Sequence, residues 1–368
     1  MDITGGAVME VVADGHPGGG TTAVLGLCED LKHRLGREVV LVTQKNSYAF
    51  GRGEALGLKV HGFDFFRSRF DPGLKVALNN LMRSARPALV HAHGGRAANA
   101  LIGGKRGFPL VYTVHGYHFP AKNSFVRPLF RYAEARMASS ADHIVFVSSS
   151  DERIAEANGL ITGKTRHSII RNGIDPGLLG SDGEVARDDT IVFLSRMHRQ
   201  KNPFLAVEMM AHLRDLPFRL VMIGGGELDK GVRDLVTQLN LGEAVDVRGA
   251  LPHEVALECL KRSRLMIFPS LWEGLPIAPI EALYFGVPVV ATNIPGTDEV
   301  IAHGRNGFLV NEHTPRAMAD AVRSLLTNAS LWSEISANGR KDARERFSRA
   351  INSDAHVALY QSLIDRSV

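Results

Sequence analysis

Short β-branched runs recur along this chain, nearly each followed by an amphipathic stretch of helical length, and no other feature narrows the fold as much. In the first half the runs are "VMEVVA", "REVVLVT", "ALVHAH", "LVYTVHG" and "HIVFVS", with helical periodicity at about 21 to 35, 73 to 85 and 124 to 139. Strands alternating with helices in this way predict parallel sheets covered by helices on both faces. A polar, turn-rich interval, Asn172 to Asp189, interrupts the pattern. It resumes with "TIVFLS", "FRLVMIGGG", "AVDVRG", "RLMIFPS" and "VPVVAT". At 368 residues the chain is also long for a single core. The expectation is two Rossmann-like, doubly wound α/β domains, 1–175 and 176–347, with strand ends facing a cleft. The tail, 348–368, reads as a last amphipathic helix that packs back on the first domain.

Several function classes drop out on composition. The first fifteen residues hold no basic segment followed by an apolar run, and no stretch approaches the ~18 consecutive apolar residues of a membrane span, so neither secretion nor membrane insertion is expected. The two cysteines, Cys28 and Cys259, form no zinc-ligand or disulfide pattern and fit a reducing cytoplasm. Net charge is +4, but the excess is N-terminal: 22 Lys and Arg against 15 Asp and Glu through Asp175, and 21 against 24 beyond it. Basic residues there mix with aromatics in "FDFFRSRF" (63–70) and "FVRPLFRYAEAR" (125–136). Such a face suits an anionic membrane surface or an anionic acceptor; an ordinary solvated face with Phe turned inward is an equal reading. No nucleic-acid motif accompanies the charge.

Three segments place backbone or cations where an anion can bind. Gly18, Gly19 and Gly20 lie between the first strand and a helix, a position that permits close approach of phosphate to a helix N-terminus. In "LSRMHRQKNPF", Arg196 and Lys201 occupy a loop ahead of Asn202 and Pro203, expected as N-cap and first helical residue. Two cations there would offset a nucleotide diphosphate. The sequence contains no Asp-x-Asp, the usual means of holding a diphosphate through Mg²⁺ or Mn²⁺, so we expect no metal and no cofactor.

The third segment is "EGLPIAPIE", Glu273 to Glu281. Prolines restrict the residues before them, so helix is expected to begin near Pro276 or Pro279, leaving Glu273 in a loop and Glu281 in the first or second turn. With Pro279 first, Glu281 would be a third-position capping glutamate. Glu273 has no such partner in view and reads as an unpaired acceptor for adjacent sugar hydroxyls.

Together "SRMHRQKN", "LVMIGGGEL", "FPSLWEGLPIAPIEALYFGVPVVATNIPGTDEVI" and "GRNGFLV", with "HPGGGTTAVLGLCEDL", "HAHG", "TVHG" and "RNGID" upstream, resemble the retaining glycosyltransferases of family four, of GT-B fold. The resemblance implies that Glu273 contacts the donor sugar, that the Gly274, Leu275, Pro276 and Ile277 backbone approaches sugar and phosphate, and that Glu281 accepts from the ribose. It also implies that Arg196 and Lys201 hold the diphosphate, that Gly19 and Gly20 approach donor phosphate, that Gly249 beside Arg248 lines the base, and that His115 sits near the donor sugar. The chain departs from the family's pattern at Arg171, where a proline usually precedes Asn-Gly. The implied activity is transfer of a hexosyl group from a nucleotide diphosphate sugar to an acceptor hydroxyl. The basic, aromatic N-terminal face suggests a saccharide or lipid-linked saccharide as that acceptor, in envelope polysaccharide or glycolipid assembly, with the protein in the cytoplasm or at the inner face of the cell membrane. A non-hydrolysing nucleotide-sugar epimerase and a catalytically idle nucleotide-sugar-binding subunit are the alternatives. A glycosidase is disfavoured by the cation pair.

Overall fold

The computed structural model describes residues 6–68, 71–103, 106–117, 119, 124–179 and 185–366. The chain divides into two units: residues 1–173 with 349–368, and residues 174–348.

Unit 1 is built on seven parallel strands, β1 (Val8–Val12), β2 (Val39–Gln44), β3 (Lys59–Phe63), β4 (Leu89–His93), β5 (Leu110–Val114), β6 (His143–Phe146) and β7 (His167–Ile169), in the order β3-β2-β1-β4-β5-β6-β7. The helices between them are α1 (Gly19–Arg34), α2 (Tyr48–Ala55), α3 (Pro72–Ala85), α4 (Gly94–Leu101), α5 (Arg127–Ser140) and α6 (Ser149–Ala157). Central strands covered on both faces read as continuous apolar runs, and β1, β4 and β5 are buried along their whole length. The edge strands β3 and β7 are half exposed, which is why neither announces itself as a hydrophobic run. α5 starts at Arg127, later than the expected 124, with Pro128 in its first turn and no capping side chain ahead of it.

Unit 2 repeats the design. After the short α7 (Pro176–Leu179) come β8 (Thr190–Leu194), α8 (Pro203–Met210), β9 (Arg219–Ile223), α9 (Asp229–Gln238), β10 (Val245–Gly249), α10 (His253–Arg262), β11 (Leu265–Phe268), α11 (Ile277–Tyr284), β12 (Val289–Thr292), β13 (Gly307–Val310), α12 (Pro315–Leu326) and α13 (Ala329–Arg346). Its parallel sheet has the order β10-β9-β8-β11-β12-β13. Of the expected linker, residues 180–184 lie outside the described residues. In each sheet the strand order reverses once, at β1/β4 and at β8/β11, and the loops leaving those strands flank the crevice where open α/β sheets bind ligands.

The last helix, α14 (Arg349–Asp365), belongs to unit 1 and packs beside α1. Arg349 at its start forks onto Asp30 with Nε and Nη2 at 3.0 and 2.8 Å and reaches Glu29 at 3.1 Å, while Ser353 bonds the same Asp30 carboxylate. The buried side of α14 is Ser353, His356, Tyr360, Leu363 and Ile364, so three of the five inward residues carry a polar group. Replacing Arg349 with alanine leaves Asp30 largely buried without its fork. We expect a loss of about 2 kcal/mol, the scale of a charged hydrogen bond, in the urea unfolding of unit 1.

Candidate functional site

At the switch point of unit 2, the loops after β8 and β11 are tied to each other and to their neighbours. Ser195 N–H donates to the Ile223 carbonyl at 3.0 Å and Met197 N–H to Gly225 at 2.9 Å; Gly224 N–H closes onto the Gly249 carbonyl at 2.8 Å. The triple glycine is a close-approach device: a Cβ on Gly224, whose φ is +137°, would lie 2.0 Å from the Ser195 carbonyl oxygen. With Met197 buried against the core, Arg196 is turned out and exposed, and its guanidinium has no partner among the described residues.

The chain then makes one 3₁₀ turn, Arg199–Lys201, and enters α8 at Pro203. Asn202 precedes the helix as expected but does not cap it with its side chain. It adopts a left-handed conformation, φ 49°, which leads the 3₁₀ turn into the helix and aims the amide away from the helix N–H groups. Gln200 joins this turn to the β11 loop, its carbonyl accepting from Leu271 N–H and its side chain donating to the Trp272 carbonyl, both at 2.8 Å. The same register brings Lys201 Nζ to 2.5 Å from Glu273 Oε1, with the ammonium 5.1 Å from the Phe268 ring centre. Glu273 is therefore not the unpaired carboxylate the sequence suggested. Its partner lies 72 residues upstream, and both side chains are largely buried.

Glu281 falls where the prolines placed it, in the first two turns of the helix, but not at the capping position. α11 begins at Ile277, and Pro279 is accommodated at the third helical position, where its missing N–H has no intrahelical acceptor to lose. Glu281 thus falls in the second turn and is buried rather than capping the first. His253 Nε2 lies 3.7 Å from Glu281 Oε1, and burial lowers that imidazole, disfavouring its charged form. Glycine at 296, φ +86°, lets that loop lie against the Gly274 carbonyl, which a Cβ would approach to 1.9 Å. Leu275, Pro276 and Ile277 are buried with Gly274 along this turn. Gly249 has φ +72°, and the Arg248 guanidinium beside it is engaged by Asp246 at 2.8 Å and by Cys259 Sγ at 3.4 Å.

In unit 1, α1 starts at Gly19 with Gly18 extended before it. A Cβ on Gly18 or Gly20 would meet nothing within 4 Å, so the surrounding protein does not require glycine at either position. His115, just past β5, is half-buried, and its Nε2 is 3.3 Å from His93 Nδ1. Behind it lies a buried polar network that sequence reasoning passed over. Glu10 on β1 stands in register with His91 on β4; Glu10 Oε2 is 2.7 Å from His93 Nε2 and 3.2 Å from His91 Nδ1, and Glu10 Oε1 accepts from the Tyr360 hydroxyl at 2.7 Å. His91 Nε2 meets Thr113 Oγ1 at 2.6 Å. The signal was present in "VMEVV" and "VHAH": residues two apart on a strand share a face. Burial alone would raise the Glu10 carboxyl, but neighbouring His91 and the hydrogen bonds from both histidines outweigh it and hold the group below the usual carboxylate range. Burial pushes His93 down to about 4 and keeps His91 and His115 low as well. The donor atoms of Glu10, His91 and His93 lie within 4.8 Å of one another, a set able to hold a divalent cation, and here they bond to each other.

Of the two basic aromatic segments, Phe63 and Phe65 face the core, while Phe66 is exposed beneath the Arg96 guanidinium, 4.4 Å from its ring. Arg69 and Phe70 lie outside the described residues. On and before α5, Phe125 (93 % exposed), Leu129 and Tyr132 are presented outward in the segment that carries Arg127, Arg131 and Arg136. Among the described residues no helix is long and apolar enough to cross a membrane.

Two Rossmann-like units with parallel sheets and loops gathered at the strand carboxyl ends define an α/β enzyme of the GT-B type. The solved structure of the Anabaena protein HepE in complex with UDP and glucose shares this fold at a TM-score of 0.82 and 20 % identity, covering 97 % of this chain and 99 % of that one. The family description "Glycosyltransferase Family 4" matches residues 17–178, and "Glycosyl transferases group 1" matches 181–342. The chain belongs to these glycosyltransferases. Relatives include D-inositol 3-phosphate glycosyltransferase 1 of Catenulispora acidiphila, 28 % identical over 75 % of this chain and 72 % of that protein. Another is an Escherichia coli UDP-Gal:α-D-GlcNAc-diphosphoundecaprenol α-1,3-galactosyltransferase, 27 % identical over 64 % and 65 %.

Burial pushes the Glu281 carboxyl up to about 8. The folded group then holds its proton more tightly than the unfolded chain does. Its contribution favours folding in acid and is lost as pH rises from the ordinary carboxylate range through about 8. Glu281→Gln cannot ionise and should flatten the fall of Tm with pH across that window.

Proposed function

We propose that this glycosyltransferase moves a hexosyl group from a nucleotide diphosphate sugar to a saccharide or lipid-linked saccharide hydroxyl with retention of anomeric configuration. The observation that carries the reading is the Lys201–Glu273 pair beside the exposed Arg196 at the β8/β11 switch point. Lys201 is neutralised only in part, since an ammonium has three donors and Glu273 takes one. The remaining donors, with the Arg196 fork, suit the two phosphates of the leaving group and stabilise the charge that develops there, without a metal or cofactor. Glu273 keeps its second oxygen for a sugar hydroxyl. Glu281 receives the ribose, and the Gly274–Ile277 backbone and Gly249 line the donor; in unit 1, taken by itself, His115 is assigned a sugar and Gly19 and Gly20 a phosphate.

In this mechanism the acceptor oxygen bonds to the anomeric carbon on the face from which the diphosphate departs. The bond to the phosphate oxygen breaks, and that oxygen takes the acceptor's proton. No protein nucleophile is needed. The printed names of the relatives support the substrate classes: UDP and glucose in the Anabaena complex, a diphosphoundecaprenol-linked saccharide for the Escherichia coli enzyme. The exposed Phe125, Leu129 and Tyr132 among arginines support an acceptor met at an anionic membrane surface, on the cytoplasmic side, in envelope polysaccharide or glycolipid assembly.

Arg196→Ala and Lys201→Ala should each weaken nucleoside diphosphate binding by about tenfold or more, as loss of a charged hydrogen bond implies, measured by calorimetry. Glu273→Gln should lower transfer of the sugar while sparing affinity for the free nucleotide. Unchanged donor kinetics in Lys201→Ala and Glu273→Gln, or rapid epimerisation of a nucleotide sugar without acceptor, would sink the reading. For the membrane, the wild type should co-sediment with phosphatidylglycerol vesicles at low salt, and Phe125→Ser with Leu129→Ser should abolish it.

A further inference from the structure

The Glu10–His93–His115 chain has a direction. A carboxylate only accepts, so His93 must carry its hydrogen on Nε2, which faces Glu10 Oε2 at 2.7 Å. A neutral imidazole has one N–H, so His93 Nδ1 is then a lone pair. That lone pair faces His115 Nε2 at 3.3 Å, with the two ring planes only 25° apart, so His115 in turn must carry its hydrogen on Nε2. The remaining nitrogen of His115, Nδ1, is left as an acceptor, and it has no partner among the described residues. The other polar neighbours hold this polarity rather than oppose it. Tyr360 donates to Glu10 Oε1, and His91 Nδ1 reaches both the Tyr360 hydroxyl and Glu10 Oε2; with the His91 hydrogen on Nδ1, both oxygens are acceptors for it and Nε2 accepts from Thr113. His115 borders a small cavity at the carboxyl ends of β4 and β5, together with His93, Thr113, Val24 and Asn172.

We propose that Glu10 and His93 are positioning residues that lock His115 in its Nε2–H form, so that the ligand atom it meets is a sugar hydroxyl acting as donor and not a phosphate oxygen. A phosphate oxygen, itself an acceptor, would face a lone pair; a hydroxyl would not. The relay assigns His115 to hydrogen-bond acceptance from the sugar and removes it as a proton donor to the leaving group. That the ligand at His115 is a sugar rests on the function proposed above; the tautomers themselves do not.

The test uses the full-length protein labelled with ¹⁵N-histidine, with ring signals assigned by His93→Phe and His115→Phe. Long-range ¹H–¹⁵N spectra near neutral pH should show His93 and His115 both neutral and both protonated at Nε2. A His115 hydrogen on Nδ1, an exchanging mixture of tautomers, or a doubly protonated His93 overturns the relay. So does one tightly bound metal ion per chain whose removal by chelator shifts these signals, since the cluster would then be a metal centre. In turnover, His93→Phe with an unchanged melting temperature should lower kcat/KM for the nucleotide sugar about tenfold, one hydrogen bond's worth, and leave nucleoside diphosphate affinity intact. Undiminished turnover, or an equal loss of nucleoside diphosphate affinity, overturns it. If the wild type turns over no nucleotide sugar, the proposed function fails while the spectra still decide the relay.

Discussion

A carboxylate with no exposed surface, in the first strand of a parallel sheet, has to be answered by donors from elsewhere in the chain, and much of unit 1 is arranged to do so. Glu10 draws on β4 for His91 and His93 and on α14 for Tyr360. An isolated buried charge would lose its hydration without return, so these partners are conditions for the strand to lie where it does. The same requirement explains the polar inward stripe of α14. The helix closes over the sheet face built from Val8, Val12, Leu89 and Val111, and it brings the hydroxyl that completes Glu10's coordination by donors.

In unit 2 the constraint is backbone proximity. Gly224 and Gly296 let neighbouring loops approach the Ser195 and Gly274 carbonyls more closely than any side chain would permit, and Gln200 stitches the β8 loop to the β11 loop. Lys201 and Glu273 meet because those loops are fixed, so two long side chains need little further ordering to hold their geometry. Arg196, in the same loop but facing out, is left free to engage a ligand.

Legibility followed burial. Mostly apolar strands buried on both faces, such as β1, β8 and β11, stood out as runs, whereas β3, β7 and β13 sit at sheet edges with partly exposed side chains and gave no such signal. The glycine loop and the Arg196–Lys201 segment were visible because turn and capping chemistry is local, yet Asn202 shows the limit: the helix began where expected while the cap took a different conformation. The prolines bounded the start of α11 closely enough to put Glu281 in its first two turns, but proline can occupy any of the first helical positions, so sequence did not choose between a capping glutamate and the buried one observed. The Lys201–Glu273 pairing and the buried histidine network are long-range consequences of strand order, and neither residue spacing nor composition carries strand order directly.

Unit 2 is nested in the sequence between the two segments of unit 1, which has an effect on the order of events during synthesis. The strands of the first sheet leave the ribosome early, but the helix that supplies Tyr360 and Arg349 follows only after all of unit 2 has been made. Nascent unit 1 therefore carries Glu10 with part of its donor set missing and one sheet face uncovered, while unit 2 has every residue it needs. Completion of the first-made sheet therefore depends on the last-made helix.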